Sequence, residues 1–213
     1  MHAIDKQQRL VTLLSQDANI KSSPVALEKL LKYIELIQKW SKAYNLTAIL
    51  DAEDIARRHV LDSLSIHPFL KGKRIIDVGS GAGLPGIPLS LINPDKKFVL
   101  LDSQGKKTRF LWQVIQELNL NNVEVVKERA ELYQPIDCFD SILSRAFTSL
   151  KEMLLKTKHL SCKDGLFLAM KGAYPQDELN EIPPGFTVVD VHPLHVAGLL
   201  EERHVVCIQI ATK

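Results

Sequence analysis

A short apolar run that ends in closely spaced glycines constrains this chain more than any other feature. Arg74-Ile-Ile-Asp-Val-Gly79 has the pattern of a buried parallel strand, and further glycines follow at 81, 83 and 86. Glycine there permits a tight turn and a close approach of backbone to a ligand. Downstream, strand-like and helical segments alternate. A helix follows Leu84, then a strand at Lys97–Asp102 and a helix at Gln104–Leu118. Strands at Val123–Lys127 and Phe139–Ser144, a helix at Ser149–His159 and a strand at Gly165–Lys171 continue the series. Such alternation requires a parallel sheet flanked by helices, an α/β fold. Phe186–Val191 and His204–Ile210 break it. They are two alternating runs joined by a short irregular segment, which predicts a closing antiparallel pair.

Residues 1–70 have a helical period instead. Leu27, Leu30, Leu31, Ile34, Ile37 and Tyr44 share one face, with Trp40 beside them, and the simplest role for that face is core. Ser23 is placed to cap this helix, with Pro24 at its first position. A weaker amphipathic stretch runs from Asp5 to Leu14. Another helix is expected from Asp51 to Leu64, where Asp51, Glu53 and Asp54 suit a helix N-terminus. The 213 residues contain no linker long enough to separate independent units. Residues 1–70 are therefore expected to form a helical cap packed on a core of residues 71–213, one compact unit.

Charge excludes little until it is localised. There are 27 basic and 25 acidic residues, a net charge of +2. The excess sits before Ala173, and the segment after it is net −4. The densest positive stretch runs from Lys96 to Arg109, opposed only by Asp102. Local positive charge holds a polyanion even when the total is near zero. Cys138, Cys162 and Cys207 lack C-x-x-C spacing, so no disulfide or zinc site is expected and each cysteine is read as a small buried hydrophobe. His192-x-x-His195 lacks a third ligand, so no metal is expected. No run of 18 apolar residues and no signal-peptide core is present, which gives the expectation of a cytoplasmic protein without a membrane partner.

The glycine loop carries the chemistry. Gly81-Ala-Gly83-Leu-Pro-Gly86 matches the G-x-G-x-x-G dinucleotide fingerprint, but alone that match is weak. Counted from the strand, Asp77-x-Gly79-x-Gly81-x-Gly83 places a carboxylate just before the loop, near where a ligand ammonium would sit. Asp102 ends the next strand, where an acidic residue accepts hydrogen bonds from ribose hydroxyls. The plain alternative for both is capping of helices or turns. A nicotinamide-dependent dehydrogenase binds a pyrophosphate, which an extra carboxylate disfavours. A methyltransferase binds S-adenosylmethionine (SAM), which carries an ammonium and no phosphate, so Asp77 favours the second class.

Several motifs then make the match specific. They are Lys39-Trp40-Ser-Lys-Ala43-Tyr44-Asn45-Leu46-Thr47, Arg58-His59-Val-Leu-Asp62-Ser63, and Ile76 to Pro88 with its Leu84-Pro85-Gly86. Leu100-Leu-Asp102-Ser103-Gln-Gly105-Lys106-Lys107, Ser144-Arg145-Ala146-Phe147, Lys171-Gly172 and Glu202-Arg203-His204 follow in order. Through nearly its whole length the chain resembles the bacterial 16S rRNA guanine-N7 methyltransferase family, RsmG or GidB. The resemblance implies a class I SAM-dependent methyltransferase fold. That is a Rossmann-like, mostly parallel seven-stranded sheet with an antiparallel last strand, here with an N-terminal helical cap. It implies methyl transfer to N7 of one guanine in the decoding region of 16S rRNA. It assigns Gly79 and Leu84 to the cofactor loop, Asp102 to the ribose, Ala130 and Glu131 to the adenine, and Arg145 to closure of the cofactor site. At Glu128 the chain departs from the small polar residue usual in the family.

Guanine N7 already has a lone pair, so the reaction needs orientation rather than an essential general base. No nucleophile–His–acid signature is present. Arg129 and Arg145, after two strands, are the candidates to orient the base through O6 or a phosphate, leaving N7 free. A salt bridge with Glu128 or Glu131 is their plain alternative. Lys106, Lys107, Arg109 and Lys171 are candidate phosphate contacts. Asn45 and His59 are placed to reach the site from the cap, although a turn role suits Asn45 equally and a packed helix position suits His59. The expected partner is 16S rRNA, the 30S subunit or an assembly intermediate, met by a monomer. The competing readings are a SAM enzyme with another substrate, a nicotinamide dehydrogenase and a non-catalytic RNA-binding protein.

Overall fold

The computed structural model describes residues 2–17, 20, 23–145, 147 and 149–211. Two helices open the chain, α1 (His2–Leu14) and α2 (Pro24–Tyr44). α2 begins as its sequence dictates: Ser23 Oγ accepts the Ala26 N–H at 3.3 Å and Pro24 fills the first turn. It ends where Asn45 adopts a left-handed φ of 51° and its N–H reaches the Ser41 carbonyl.

The segment expected as one helix from Asp51 to Leu64 is helical throughout but changes pitch. Asp51 Oδ1 caps α3 (Ala52–Ile55) by accepting the N–H groups of Glu53 and Asp54. A π-helical turn (Ala56–Leu61) follows, then the short α4 (Asp62–Leu64). π-turns are rare and cluster at functional sites. Here the turn carries Arg58 and His59, and the Asp62 N–H closes it on the Arg57 carbonyl.

The rest alternates β1 (Arg74–Val78), α5 (Gly86–Ile92), β2 (Lys97–Leu101), α6 (Gly105–Leu118), β3 (Val123–Val126), β4 (Phe139–Ser144) and α7 (Leu150–Thr157). β5 (Ser161–Lys171), α8 (Gln176–Asn180), β6 (Phe186–Pro193) and β7 (His204–Ile210) complete it. The seven strands lie in the order β3-β2-β1-β4-β5-β7-β6. β1 to β5 pair in parallel, and β7 runs antiparallel to both β5 and β6. The order reverses between β1 and β4, and open α/β sheets bind ligands beyond the carboxyl ends of the strands at such a switch point.

Strand side chains alternate between two buried layers. Ile75, Phe98, Leu100, Leu143 and Leu168 join one cluster with Leu30, Ile34, Ile37, Ile55, Phe110 and Leu111. The cap and the sheet therefore share a single apolar core. Ile76, Val78, Leu101, Ile142 and Phe167 face the other layer, against Met153 and Leu154 of α7.

Two expectations need correction. β5 begins at Ser161, not Gly165, because Ser161 pairs with Phe139 across a register shift in the β4–β5 ladder. Cys138 and Cys162 form a disulfide with Cα atoms 4.9 Å apart. Spacing along the chain missed it, because neighbouring strands bring together cysteines 24 residues apart. Cys207 is a buried free thiol, as expected.

Candidate active site

The glycine loop joins β1 to α5, and its backbone is committed to the protein. Gly79, Gly81 and Gly83 have φ values of +71°, +59° and +89°, a region that strains any residue with a Cβ. The Gly79 and Ser80 N–H groups both donate to the Leu101 carbonyl, at 2.8 and 3.2 Å. Those of Gly83 and Leu84 donate to the Ser80 carbonyl. Gly81 N–H donates to Asp102 Oδ2 at 2.9 Å, and Gly86 N–H to Asp77 Oδ2 at 2.8 Å. A loop that cradles a pyrophosphate must offer its amides to the ligand. These six are spent, which weighs against the dinucleotide reading.

The loop nevertheless leaves room for a ligand. A Cβ on Gly79 would meet no atom within 4 Å, and one on Gly81 only the Gly79 carbonyl at 3.8 Å. Bare backbone thus borders open space at the carboxyl ends of β1 and β2. A cavity of about 360 Å³ lies there, lined by Gly79, Asp102, Lys107, Arg129, Ala130 and Glu131, with Phe147 at one side. Ala146 and Thr148, which flank Phe147, lie outside the described residues.

Asp102 both builds this cavity and faces it. Its Oδ1 accepts the Gln104 N–H at 2.8 Å at the start of α6, while Oδ2 holds Gly81. Each oxygen keeps a second lone pair for hydroxyl donors. Lys107 Nζ stands 4.0 Å away. Asp77 differs. It is fully buried behind the loop and does not line the cavity. It tethers the start of α5 through Gly86, while Oδ1 has no hydrogen-bond partner among the described residues. Burial raises its carboxyl to about 7, against the pull of the Gly86 N–H and of Arg145. Gly83 and Leu84 shape the loop from behind: a Cβ on Gly83 would run into Ile87 and Leu111, and Leu84 packs into the apolar core.

A second cleft of about 360 Å³ opens beyond β4 and β5. The π-helical turn supplies Arg58 and His59, α4 supplies Asp62, and Arg145, Lys171 and Arg203 come from strand ends. Arg145, expected to close the cofactor site, lines this second cleft. Its Nη1 is 3.4 Å from Asp62 Oδ2, and Arg203 Nε is 3.0 Å from Asp62 Oδ1. His59 Nε2 lies 2.8 Å from Thr47 Oγ1 and Nδ1 lies 3.0 Å from the Arg58 carbonyl. Burial and then the Arg145 charge push its pKa down to about 4, so the ring is neutral at pH 7. Lys171 is bound on both oxygens of Glu178, at 2.7 and 2.8 Å, and is less available to phosphate than the sequence suggested. Among the described residues no group of three or more His, Cys, Asp or Glu is placed to hold a metal.

The pattern of the family described as "GidB: rRNA small subunit methyltransferase G" matches residues 26–206. The chain is 48% identical over 201 residues to "Ribosomal RNA small subunit methyltransferase G" of Haemophilus influenzae strain PittEE, covering 94% of this chain and 98% of that one. It is 51% identical over 197 residues to the protein of that name from Aeromonas salmonicida strain A449, covering 92% and 94%. The chain belongs to the rRNA small subunit methyltransferase G family. The fold is also similar to the crystal structure of a SAM dependent methyltransferase from Aquifex aeolicus, with a TM-score of 0.59 at 19% identity over 74% of this chain and 93% of that one.

In this member of the methyltransferase G family the other predicted residues are dispersed. Asn45 is an exposed helix cap outside both clefts. Lys106 and Arg109 are exposed on α6, whereas Lys107 turns into the cavity. Arg129 is 71% exposed on the cavity rim, with Glu131 3.9 Å away, its plain alternative partner. Four contributors lie outside the sequence-predicted site residues. Arg58, Asp62 and Arg203 lie within the motifs that carried the resemblance, and that was the available signal. Tyr33 had none. It sat on an apolar helix face, yet its hydroxyl donates to the Ala82 carbonyl at 2.6 Å and ties the cap to the glycine loop.

Proposed function

We propose that this chain transfers a methyl group from SAM to N7 of a guanine in the decoding region of 16S rRNA. The observation that carries the reading is a pair of adjoining clefts at the carboxyl end of the sheet. One is built on a glycine loop that spends six of its amides within the protein, and the other is rich in arginine. In this reading Gly79 lies against the cofactor, Gly81, Gly83 and Leu84 hold the loop open, Asp102 accepts from the ribose hydroxyls, and Ala130 and Glu131 flank the adenine. Asp77 acts behind the loop by fixing its exit into α5. Bound SAM supplies a methyl group on a positively charged sulfur, the electrophile of an in-line displacement.

The protein's task is to bring N7 into line. N7 needs no deprotonation, and His59 is packed against Thr47 and neutral between pH 6 and 8. Orientation of the base supplies the rate. N7 and O6 of guanine are the usual acceptors for arginine, but N7 must stay free, so Arg145 and Arg129 hold O6 or phosphate. Lys106 and Arg109 sit on the outer face of α6, where they contact backbone phosphates. Lys106→Ala with Arg109→Ala should lower the slope of log affinity against log salt by about 1.5 and leave SAM affinity unchanged. A slope equal to that of the parent would remove both residues from the interface.

Both clefts are complete within one chain, which supports action as a monomer. Among the described residues no helix is long and apolar enough to cross a membrane, and a substrate of ribosomal RNA sets the place of action in the cytoplasm. The test is transfer of labelled methyl from SAM to unmodified 16S rRNA, supplied naked, in assembly intermediates and in 30S subunits. Nuclease digestion should yield labelled 7-methylguanosine from at least one of the three. SAM binding without label in any of them overturns the reading.

A further inference from the structure

Arg145 is gripped from one side only. Its contacts, to Asp62 Oδ2 at 3.4 Å, to the Arg58 carbonyl at 3.4 Å and to His59 Nδ1 at 3.5 Å, all involve Nη1. Among the described residues Nε and Nη2 have no hydrogen-bond partner. These two atoms form the flat side of the guanidinium, whose parallel N–H groups match two acceptors at once. The anchoring carboxylate is itself pinned. Arg203 Nε donates to Asp62 Oδ1 at 3.0 Å, and Arg203 Nη1 donates to the Glu202 carbonyl at 2.7 Å.

The arrangement is costly for the fold. Asp62 has only 5% of its side chain exposed, and taking an acid and two guanidiniums out of water offsets much of their attraction. Well-packed apolar residues would serve stability at least as well. The three residues also come from distant parts of the chain, Asp62 being 83 residues from Arg145 and 141 from Arg203. Geometry accounts for what stability does not. Without Arg203, both Asp62 oxygens would be free to turn onto Arg145 and occupy its flat side.

We propose that Asp62 and Arg203 are positioning residues for the methyl transfer, holding Arg145 by Nη1 so that its Nε–Nη2 edge is presented to O6 or a phosphate of the target nucleotide. The proposal rests on the reading of this chain as an rRNA methyltransferase. Both residues line the cleft beside Arg145 but, so assigned, act only through it, and that is a quantitative statement. Single-turnover methylation of 16S rRNA, measurable over several decades of loss, would be followed for Asp62→Asn and Arg203→Gln, alone and combined with Arg145→Ala. Each single substitution should slow the rate by about tenfold to a hundredfold with SAM affinity unchanged. In the Arg145→Ala background neither should slow it further.

Losses that persist in that background, or that fall equally on SAM affinity, overturn the proposal. If Asp62→Asn fails to fold, as a thermal scan would show, the part-exposed Arg203→Gln carries the same cycle. Arg203→Lys, which restores the charge but not the Nε donor, should recover only part of the rate, and full recovery would also count against the assigned geometry. Labelled rRNA with additive losses removes this inference alone. Unlabelled rRNA from a SAM-binding parent removes the functional reading, and this inference with it.

Discussion

Replacing Asp102 with alanine should abolish useful SAM binding, raising its Kd by at least about a hundredfold. Two charge-assisted hydrogen bonds to a buried carboxylate contribute about 1.5–3 kcal/mol each, and two ribose hydroxyls would lose both. The protein side compounds this. Asp102 accepts the Gly81 and Gln104 N–H groups, so its removal frees the glycine loop and loosens the turn into α6 together. Loss of those two bonds should lower stability by about 3 kcal/mol. Calorimetry with SAM, paired with a urea melt, separates the effects. Asp102→Asn keeps one accepting oxygen and should fall between alanine and the parent. A Kd for Asp102→Ala within threefold of the parent would mean that Asp102 holds the loop and nothing more.

Asp77 should behave in the opposite sense for stability. Its carboxyl is raised to about 7 by burial, whereas in an unfolded chain it titrates near 4. Between those values the folded protein keeps a proton that the unfolded one releases. Stability therefore falls as pH rises from about 4 to about 7, and the loss is complete above 7. Arg145 and the Gly86 N–H favour the ionised form and Asp102 opposes it, but desolvation dominates all three. Asp77→Asn cannot ionise and keeps an oxygen for the Gly86 N–H. At pH 8 it should be more stable than the parent by about 2–4 kcal/mol, a difference that shrinks toward zero near pH 4. Urea midpoints across that range provide the measurement. A parent and variant with parallel pH curves would show that Asp77 ionises normally in the fold.

The contrast between these two acids shows what the sequence discloses. The glycine loop, the strand–helix alternation, the Ser23 cap and the final antiparallel pair depend on neighbours within a few residues, and local pattern exposes them. Asp77 and Asp102 were both legible as acids flanking a glycine loop. Which faces the ligand depends on how each strand presents its last side chains to the layers around it. That is a tertiary fact, and it sends Asp77 behind the loop and Asp102 onto the cavity wall. Lys171 looked like a free cation because Glu178, its partner, is brought back by a turn and a short helix. Cys138 and Cys162 meet because β4 and β5 are neighbours in the sheet, a relation their spacing does not encode. The triad of Asp62, Arg145 and Arg203 is the extreme case. Its members belong to three motifs, and only the folded sheet shows that those motifs serve one cleft.

The position of β7 bears on when the protein becomes competent. That strand follows every other in chain order, yet it sits between β5 and β6 rather than at the edge. Arg203 immediately precedes it. Synthesis runs from the N-terminus, and domains fold as their residues emerge. The Asp62–Arg203 contact of the second cleft is therefore the last of its contacts to form, after the residues of the glycine loop and Arg145 have been made. Insertion of β7 between β5 and β6 is the step that completes the cleft.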